Sequence, residues 1–286
     1  MKNFIWFFLI SNYLIFAQVK GKIIDGNNNP IPYVNIQVEG ENLGTTSEEN
    51  GEFSINILDK NKNLVFTTIG FDKKIVKANA ANLVQLTPTE YQLNEVIIVK
   101  KFGTKLKEIG KTDNVVATVL DSGPKIDAKY FEYLPKYSKT KFIKQVAIQT
   151  DSKIEIASFK IHFFAVNIDG SPGKELLQKN YIVTVGLGIK KTFYNVNDLN
   201  LQMPKNGIFV AFEKLIIEKN KLEKTIKNKD NERFSVYKNY YPFVLYNYVA
   251  KDFQYTFSGG QWIKKSSDGT DKLMIYEPAI NLVLSN

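Results

Sequence analysis

The 286-residue chain contains no cysteine. Disulfides, thiolate metal sites, a cysteine nucleophile and a lipid-modified N-terminal cysteine are therefore excluded. It has one histidine, His162, so chemistry that needs two imidazoles is excluded as well. Only one of its 38 basic residues is an arginine, Arg233. The planar fork of arginine is what reads base edges and clamps phosphates in pairs. A nucleic-acid partner is accordingly not expected. There is no Gly-Xaa-Ser-Xaa-Gly elbow to present a serine nucleophile. Gly186-Leu187-Gly188 lacks the strand–loop–helix setting and the Lys-Ser/Thr of a phosphate loop, and reads as a hairpin turn. Beyond residue 18 no apolar run approaches the ~20 residues of a membrane-spanning helix.

What is present is an ordinary globular composition, 44% hydrophobic and 23% charged. Residues 1–18 combine Lys2 with an apolar stretch from Phe4 to Phe16 and end in Ala17-Gln18, the pattern of a secretory signal peptide. Export to the periplasm, outer membrane or surface of a Gram-negative cell is expected. Charge then divides the chain. Residues 19–100 carry eight lysines against ten carboxylates, whereas 101–286 carry 29 basic against 19 acidic residues. The contrast supports a boundary near residue 100, and the expected organisation is a signal peptide at 1–18, a first domain over 19–99, a linker at 100–112 and a second domain over 113–286.

Short strands dominate both halves. Val34, Ile36 and Val38 alternate with polar neighbours, as do Phe53, Ile55 and Ile57, and Asn50-Gly51 is a strong hairpin signal. Strands spaced every ~8–12 residues with no helical period predict all-β architecture. Further strands are predicted from Phe142 to Gln149, Ile154 to Val166, Tyr181 to Val185, Lys191 to Val196 and Gly207 to Ile217. Lys219 to Arg233 is predicted to be a solvated hairpin loop.

The residues Gly21-Lys22-Ile23-Ile24-Asp25, Pro30-Ile31-Pro32-Tyr33-Val34-Asn35-Ile36, Gly44-Thr45-Thr46-Ser47, Asn50-Gly51-Glu52-Phe53-Ser54-Ile55 and Ile69-Gly70-Phe71 occur in the order of the carboxypeptidase-regulatory-like domain. The stretch resembles that family, which implies a Greek-key, transthyretin-like sandwich. Leu93 to Val99 resembles the segment that joins this module to the plug of TonB-dependent receptors. The pieces Phe159–Val166, Asp169–Gly173 and Gly207–Glu213 resemble a jelly-roll-like sandwich. The expected fold is thus two tandem β-sandwiches, the first transthyretin-like and the second jelly-roll-like. The resemblance implies a fold and no reaction, because none of its residues is an acid, base or nucleophile of a known constellation.

Candidate sites are few. His162 alternates with Phe159, Ile161 and Phe163 and is expected to face solvent. Asp25 with Asn27–Asn29, and Asp268 to Asp271, offer oxygens but not the spacing of a calcium loop. No metal or cofactor is expected. Ten of the 24 residues from Phe234 to Phe257 are aromatic. They read first as strand residues of a core. If they present a binding surface, Tyr240, Tyr241, Tyr246 and Trp262 are the residues expected on it, because Tyr240-Tyr241-Pro242 resembles a loop apex. The functional expectation is a non-catalytic binding or scaffolding module for a glycan or an outer-membrane protein. An accessory role in TonB-dependent uptake and a carboxylate-based hydrolase are the alternatives.

Overall fold

A computed structural model describes residues 17–89, 103–110, 115–116, 123–227, 234–267 and 272–286. The expected signal peptide, apart from its last two residues, lies outside them. So do the Leu93–Val99 segment and the Asp268–Asp271 cluster. Among the described residues the structure is all β, with only three-residue 3₁₀ turns besides strands.

The first sandwich uses β1 (Ala17–Ile24), β2 (Asn35–Val38), β3 (Gly44–Thr46), β4 (Glu52–Ile57), β5 (Asn63–Thr67), β6 (Lys74–Lys77) and β7 (Leu83–Gln85). One sheet runs β4-β1-β7 and the other β3-β2-β5-β6, with β1 and β7 parallel and every other pairing antiparallel. The predicted alternation holds: Phe53, Ile55 and Ile57 point inward to meet Ile36, Val38, Leu64 and Phe66. Gly51 adopts φ +77°, and a side chain there would meet the Ile23 carbonyl at 2.6 Å. Only glycine closes that hairpin without strain.

The second unit contains β8 (Leu106–Ile109), β9 (Val115–Val116), β10 (Ile126–Phe131), β11 (Phe142–Ser152), β12 (Ala157–Val166), β13 (Pro172–Glu175), β14 (Tyr181–Val185), β15 (Gly188–Asn195), β16 (Ile208–Lys214), β17 (Lys221–Lys227), β18 (Phe234–Tyr240), β19 (Phe243–Val244), β20 (Tyr246–Lys251), β21 (Phe253–Ser258), β22 (Gln261–Ser266), β23 (Leu273–Pro278) and β24 (Ile280–Ser285). A seven-stranded sheet runs β13-β12-β16-β10-β21-β22, with β14 also on β12. A five-stranded sheet runs β15-β11-β24-β8, with β19 also on β11. Their facing sides bury Phe159, Ile161, Phe163, Val210 and Phe212 against Val146, Ile148, Ile280 and Leu282. Two smaller pieces complete the unit, the sheet β23-β20-β9 and the isolated hairpin β17-β18.

Strand β8 lies inside the stretch expected as linker and pairs with β24, Leu282 opposite Ile109. Its buried Ile109 joins the second core. Gly186–Gly188 joins β14 to β15, but β14 pairs with β12 and β15 with β11, so the stretch passes from one sheet to the other and is not the predicted hairpin turn. The predicted hairpin near Lys219–Arg233 is also found, but its two arms are regular strands in seven-residue register.

Candidate functional site

The seven-stranded sheet is buried on both faces where it meets the first sandwich, and this produces the most unusual chemistry in the molecule. Along β12, Phe159, Ile161 and Phe163 face the core, so Ser158, Lys160, His162 and Phe164 face the other way. Along β16, Phe209, Ala211 and Glu213 share that second face. Lys160 lies opposite Glu213 in the ladder, and His162 lies opposite Ala211. The first sandwich covers them. Asn35 of β2 donates its Nδ2–H to Glu213 Oε1 at 2.9 Å, and the Ile216 amide donates to Thr46 Oγ1 at 3.0 Å. Tyr33 joins Leu215 and Ile217 in a small apolar cluster of the same seam.

His162 is therefore buried, with 5% of its surface exposed, which corrects the expectation of a surface histidine. The parity was right; the face it points to is covered by the other domain. Its Nδ1 lies 2.8 Å from Glu175 Oε2 and its Nε2 2.7 Å from Glu213 Oε2. Lys160 Nζ lies 3.2 Å from Glu213 Oε2. Glu175 Oε1 in turn accepts the backbone amide of Phe163 at 2.9 Å. Burial alone would discharge the imidazole, but the hydrogen bonds it donates to both carboxylates, and their charges, outweigh burial and raise its pKa to about 9. Burial likewise opposes the charge on Glu213, and Lys160 and His162 overcome it, lowering its pKa to about 2. At neutral pH both are charged. Both ring nitrogens are occupied by carboxylates on opposite sides of the ring, so the group is a charge-paired latch with no free imidazole lone pair. Among the described residues no three His, Cys, Asp or Glu side chains converge on a point where a metal ion could sit. A cavity of about 170 Å³ beside the latch is bounded by Thr67, Thr68 and Ile69 on one domain and by Phe164, Phe257 and Trp262 on the other.

A second concavity, about 360 Å³, opens between β10, β21 and the β20–β23 pair. Phe209 and Tyr255 are buried at its base, and Tyr130 and Phe253 are half-buried walls. The four rings form a continuous set: Tyr130 lies 5.2 Å from Phe209 and 5.9 Å from Phe253, and Tyr255 lies 5.6 Å from both Phe209 and Phe253. Lys264 Nζ lies 5.7 Å from the Phe253 ring centre. Polar groups surround the rings: Glu132, Lys251, Asp252, Gln254, Lys272 and Glu277. Glu277 is held between two ammonium groups, Lys129 at 2.9 Å and Lys251 at 3.2 Å. Burial, reinforced by the charge of Glu132, raises the Tyr130 phenol above its ordinary value, so its hydroxyl stays neutral. That hydroxyl donates to the Asn206 carbonyl at 3.1 Å.

The four aromatic residues singled out in the sequence are not brought together. Tyr241 and Tyr246 are core residues, 3% and 2% exposed. Tyr246 donates to Asp127 Oδ2 at 2.7 Å, and Tyr241 stacks edge-on against Phe243 at 4.7 Å. Tyr240-Tyr241-Pro242 is thus a buried corner, not an exposed apex. Tyr240 is half-buried at the base of the β17–β18 hairpin, and Trp262 lines the cavity beside the latch. Sequence reasoning missed Tyr130, Phe209 and Glu213, which come from other strands. The Phe253, Tyr255 pair was inside the aromatic segment and was the available signal. The Asp25 cluster is a hydrogen-bonded turn: Asp25 Oδ1 accepts the amides of Asn27 and Asn29 at 2.8 and 2.9 Å. Among the described residues no helix is long and apolar enough to cross a membrane.

Comparison with known proteins bears on the first sandwich. Two curated proteins of Formosa agariphila are similar to this chain. TonB-dependent receptor P39 is 27% identical over 124 residues, 42% of this chain and 12% of that protein. TonB-dependent receptor P3 is 28% identical over 102 residues, 35% of this chain and 10% of that protein. The chain thus matches only about a tenth of the length of these relatives. Residues 19–98, which include the seven-stranded sandwich docked on the latch, match the family of the CarboxypepD_reg-like domain.

Proposed function

We propose that this chain is a non-catalytic, exported module of the cell envelope that binds a saccharide in the cleft walled by Tyr130 and Phe253. The observation that supports it is the four-ring aromatic base within a rim of carboxylate, amide and ammonium groups. Aromatic faces stack on the apolar faces of sugar rings, and a polar rim satisfies their hydroxyls. The similarity of residues 19–98 to an accessory domain family, and of the chain to TonB-dependent receptors, supports the envelope setting. Binding is favoured over hydrolysis by the state of the acids. A glycosidase needs two carboxyl groups free to carry and accept a proton across ~5–9.5 Å. Glu277 is committed to two lysines, and Glu132 and Asp252 lie exposed at the rim.

The test is titration calorimetry of the whole protein against a panel of envelope and extracellular oligosaccharides. Binding of at least one saccharide is expected, with no release of reducing ends. Tyr130→Ala and Phe253→Ala should each weaken it about tenfold, the worth of one stacked ring. A panel without a binder, or binding indifferent to both substitutions, removes the reading. The similarity to receptors favours a second reading, an accessory part in TonB-dependent uptake. Co-purification of a TonB-dependent receptor with the tagged chain would support it.

A further inference from the structure

The cavity beside the latch lies at the seam of the two sandwiches, and its lining is of two kinds. One is apolar: Ile69 of the first sandwich, and Phe164, Phe257 and Trp262 of the second. The rings stand steeply to one another, Trp262 at 5.2 Å and 85° from Phe164 and at 5.4 Å and 70° from Phe257. The other is the latch itself, in which Lys160 and Glu213 are each 1% exposed.

Lys160 brings more donors than the protein uses. A lysine ammonium has three N–H groups. Among the described residues its nitrogen meets only the Glu213 carboxylate, 3.2 Å from Oε2 and 3.5 Å from Oε1. Those oxygens also accept shorter bonds, from His162 at 2.7 Å and Asn35 at 2.9 Å. At least one N–H of this buried ammonium is thus left without an acceptor among them, and a buried charged donor in that state is costly.

Charge then decides the class of ligand. Lys160 and His162 are balanced by Glu175 and Glu213, whose oxygens are engaged. An anion would face both carboxylates. A quaternary ammonium, otherwise suited to a cage of rings, would face two cations. A neutral acceptor oxygen meets neither repulsion. Volume sets the size. A cavity of about 150 Å³ accepts benzene, so one of about 170 Å³ holds a six-membered ring with a small substituent.

We propose that the seam cavity binds a neutral, single-ring small molecule, its ring held by Phe164, Phe257 and Trp262 and an oxygen on it accepting the spare N–H of Lys160. The cavity shares no lining residue with the aromatic cleft, so this site and saccharide binding stand or fall separately.

The test uses Trp262 as reporter. The full chain has one other tryptophan, Trp6. With Trp6→Phe, fluorotryptophan labelling gives a single fluorine NMR signal from the cavity wall. The labelled chain is titrated with p-cresol, with toluene, which has the same ring and methyl group but no oxygen, and with tetramethylammonium. p-Cresol should shift the signal saturably, toluene should bind about tenfold more weakly, and tetramethylammonium should leave the signal unmoved. Lys160→Met should reduce p-cresol to the affinity of toluene. Thr67→Phe, which fills the cavity from the side of the first sandwich, should abolish both. Circular dichroism checks that each variant is folded. No saturable shift with p-cresol, equal affinity for p-cresol and toluene in the parent, or a shift with tetramethylammonium would overturn the proposal. So would unchanged binding in folded Thr67→Phe, or a preference for p-cresol that survives in folded Lys160→Met.

Discussion

At the scale of single residues, His162 concentrates the pH response of the molecule. Its folded-state pKa of about 9 stands above the ordinary 6.5, so its contribution is complete below pH 6.5 and is lost as pH rises through 9. Glu213 stands at about 2 against 4.5, so its contribution is complete above pH 4.5 and is lost as pH falls toward 2. The latch is therefore strongest between pH 4.5 and 6.5. The alkaline limb is worth roughly 3 kcal/mol, since each tenfold gain in proton affinity on folding contributes about 1.4 kcal/mol. Thermal unfolding of the whole protein from pH 5 to 9.5 should show a decline above pH 6.5 that is largely absent in His162→Gln. Parallel curves for the two proteins would remove this role. The sequence held half of this information. The period of β12 put His162 opposite Phe163 correctly. It held no sign of the partners, because Glu213 is 51 residues away and Asn35 is 178 residues from Glu213.

At the scale of elements, alternation was the legible part and register was not. The strand around Phe53 follows from period-two burial, and those around Phe142, Phe159 and Tyr181 from the sequence alternation within them, although the structure buries β12 on both faces. Strand β8 was not legible, since Leu106-Lys107-Glu108-Ile109 buries one side chain and owes its place to pairing with β24. The aromatic segment 234–257 was legible as unusual but not as to which rings face a cleft. That depends on Tyr130 and Phe209, which belong to the separate strands β10 and β16. Two substitutions should separate core from ornament. Phe159→Ala empties a fully buried ring position between the sheets and should cost about 3–5 kcal/mol in urea unfolding. Val236→Ser on the exposed hairpin should change stability by no more than about 0.5 kcal/mol. Equal losses would mean that the hairpin is a structural element of the sandwich.

At the scale of the whole molecule, the two sandwiches are coupled and not strung as beads. Besides the latch, the turn between β21 and β22 reaches across. The Gly260 amide donates to Gln37 Oε1 at 2.8 Å, the Gly40 amide donates to the Gly259 carbonyl at 3.1 Å, and Gln37 Nε2 donates to the Pro124 carbonyl at 2.7 Å. Gly260 adopts φ +84°, and a side chain there would meet Val65 at 2.9 Å. Scanning calorimetry should therefore show one unfolding transition for the intact chain. Gly260→Val combined with Asn35→Ala should split it into two, because the clash with Val65 and the lost hydrogen bond to Glu213 weaken the docking while each hydrophobic core is kept. Two transitions in the parent, or one in the double variant, would contradict the coupling. The sequence suggested two cores and a change of charge between them. It could not show the docking, because the apposed groups are single polar residues spread over distant strands.

The hydrogen bond from Asn35 to Glu213 has a consequence for how such a chain can be rearranged. A domain of this kind is usually regarded as portable. Here a transplanted relative lacking an amide at the position of Asn35 would leave the ionised Oε1 of Glu213 with only the longer hydrogen bond from Lys160, at 3.5 Å. Chimaeras should therefore dock more tightly when the incoming domain carries that amide, which makes this one side chain a filter on which grafts are tolerated.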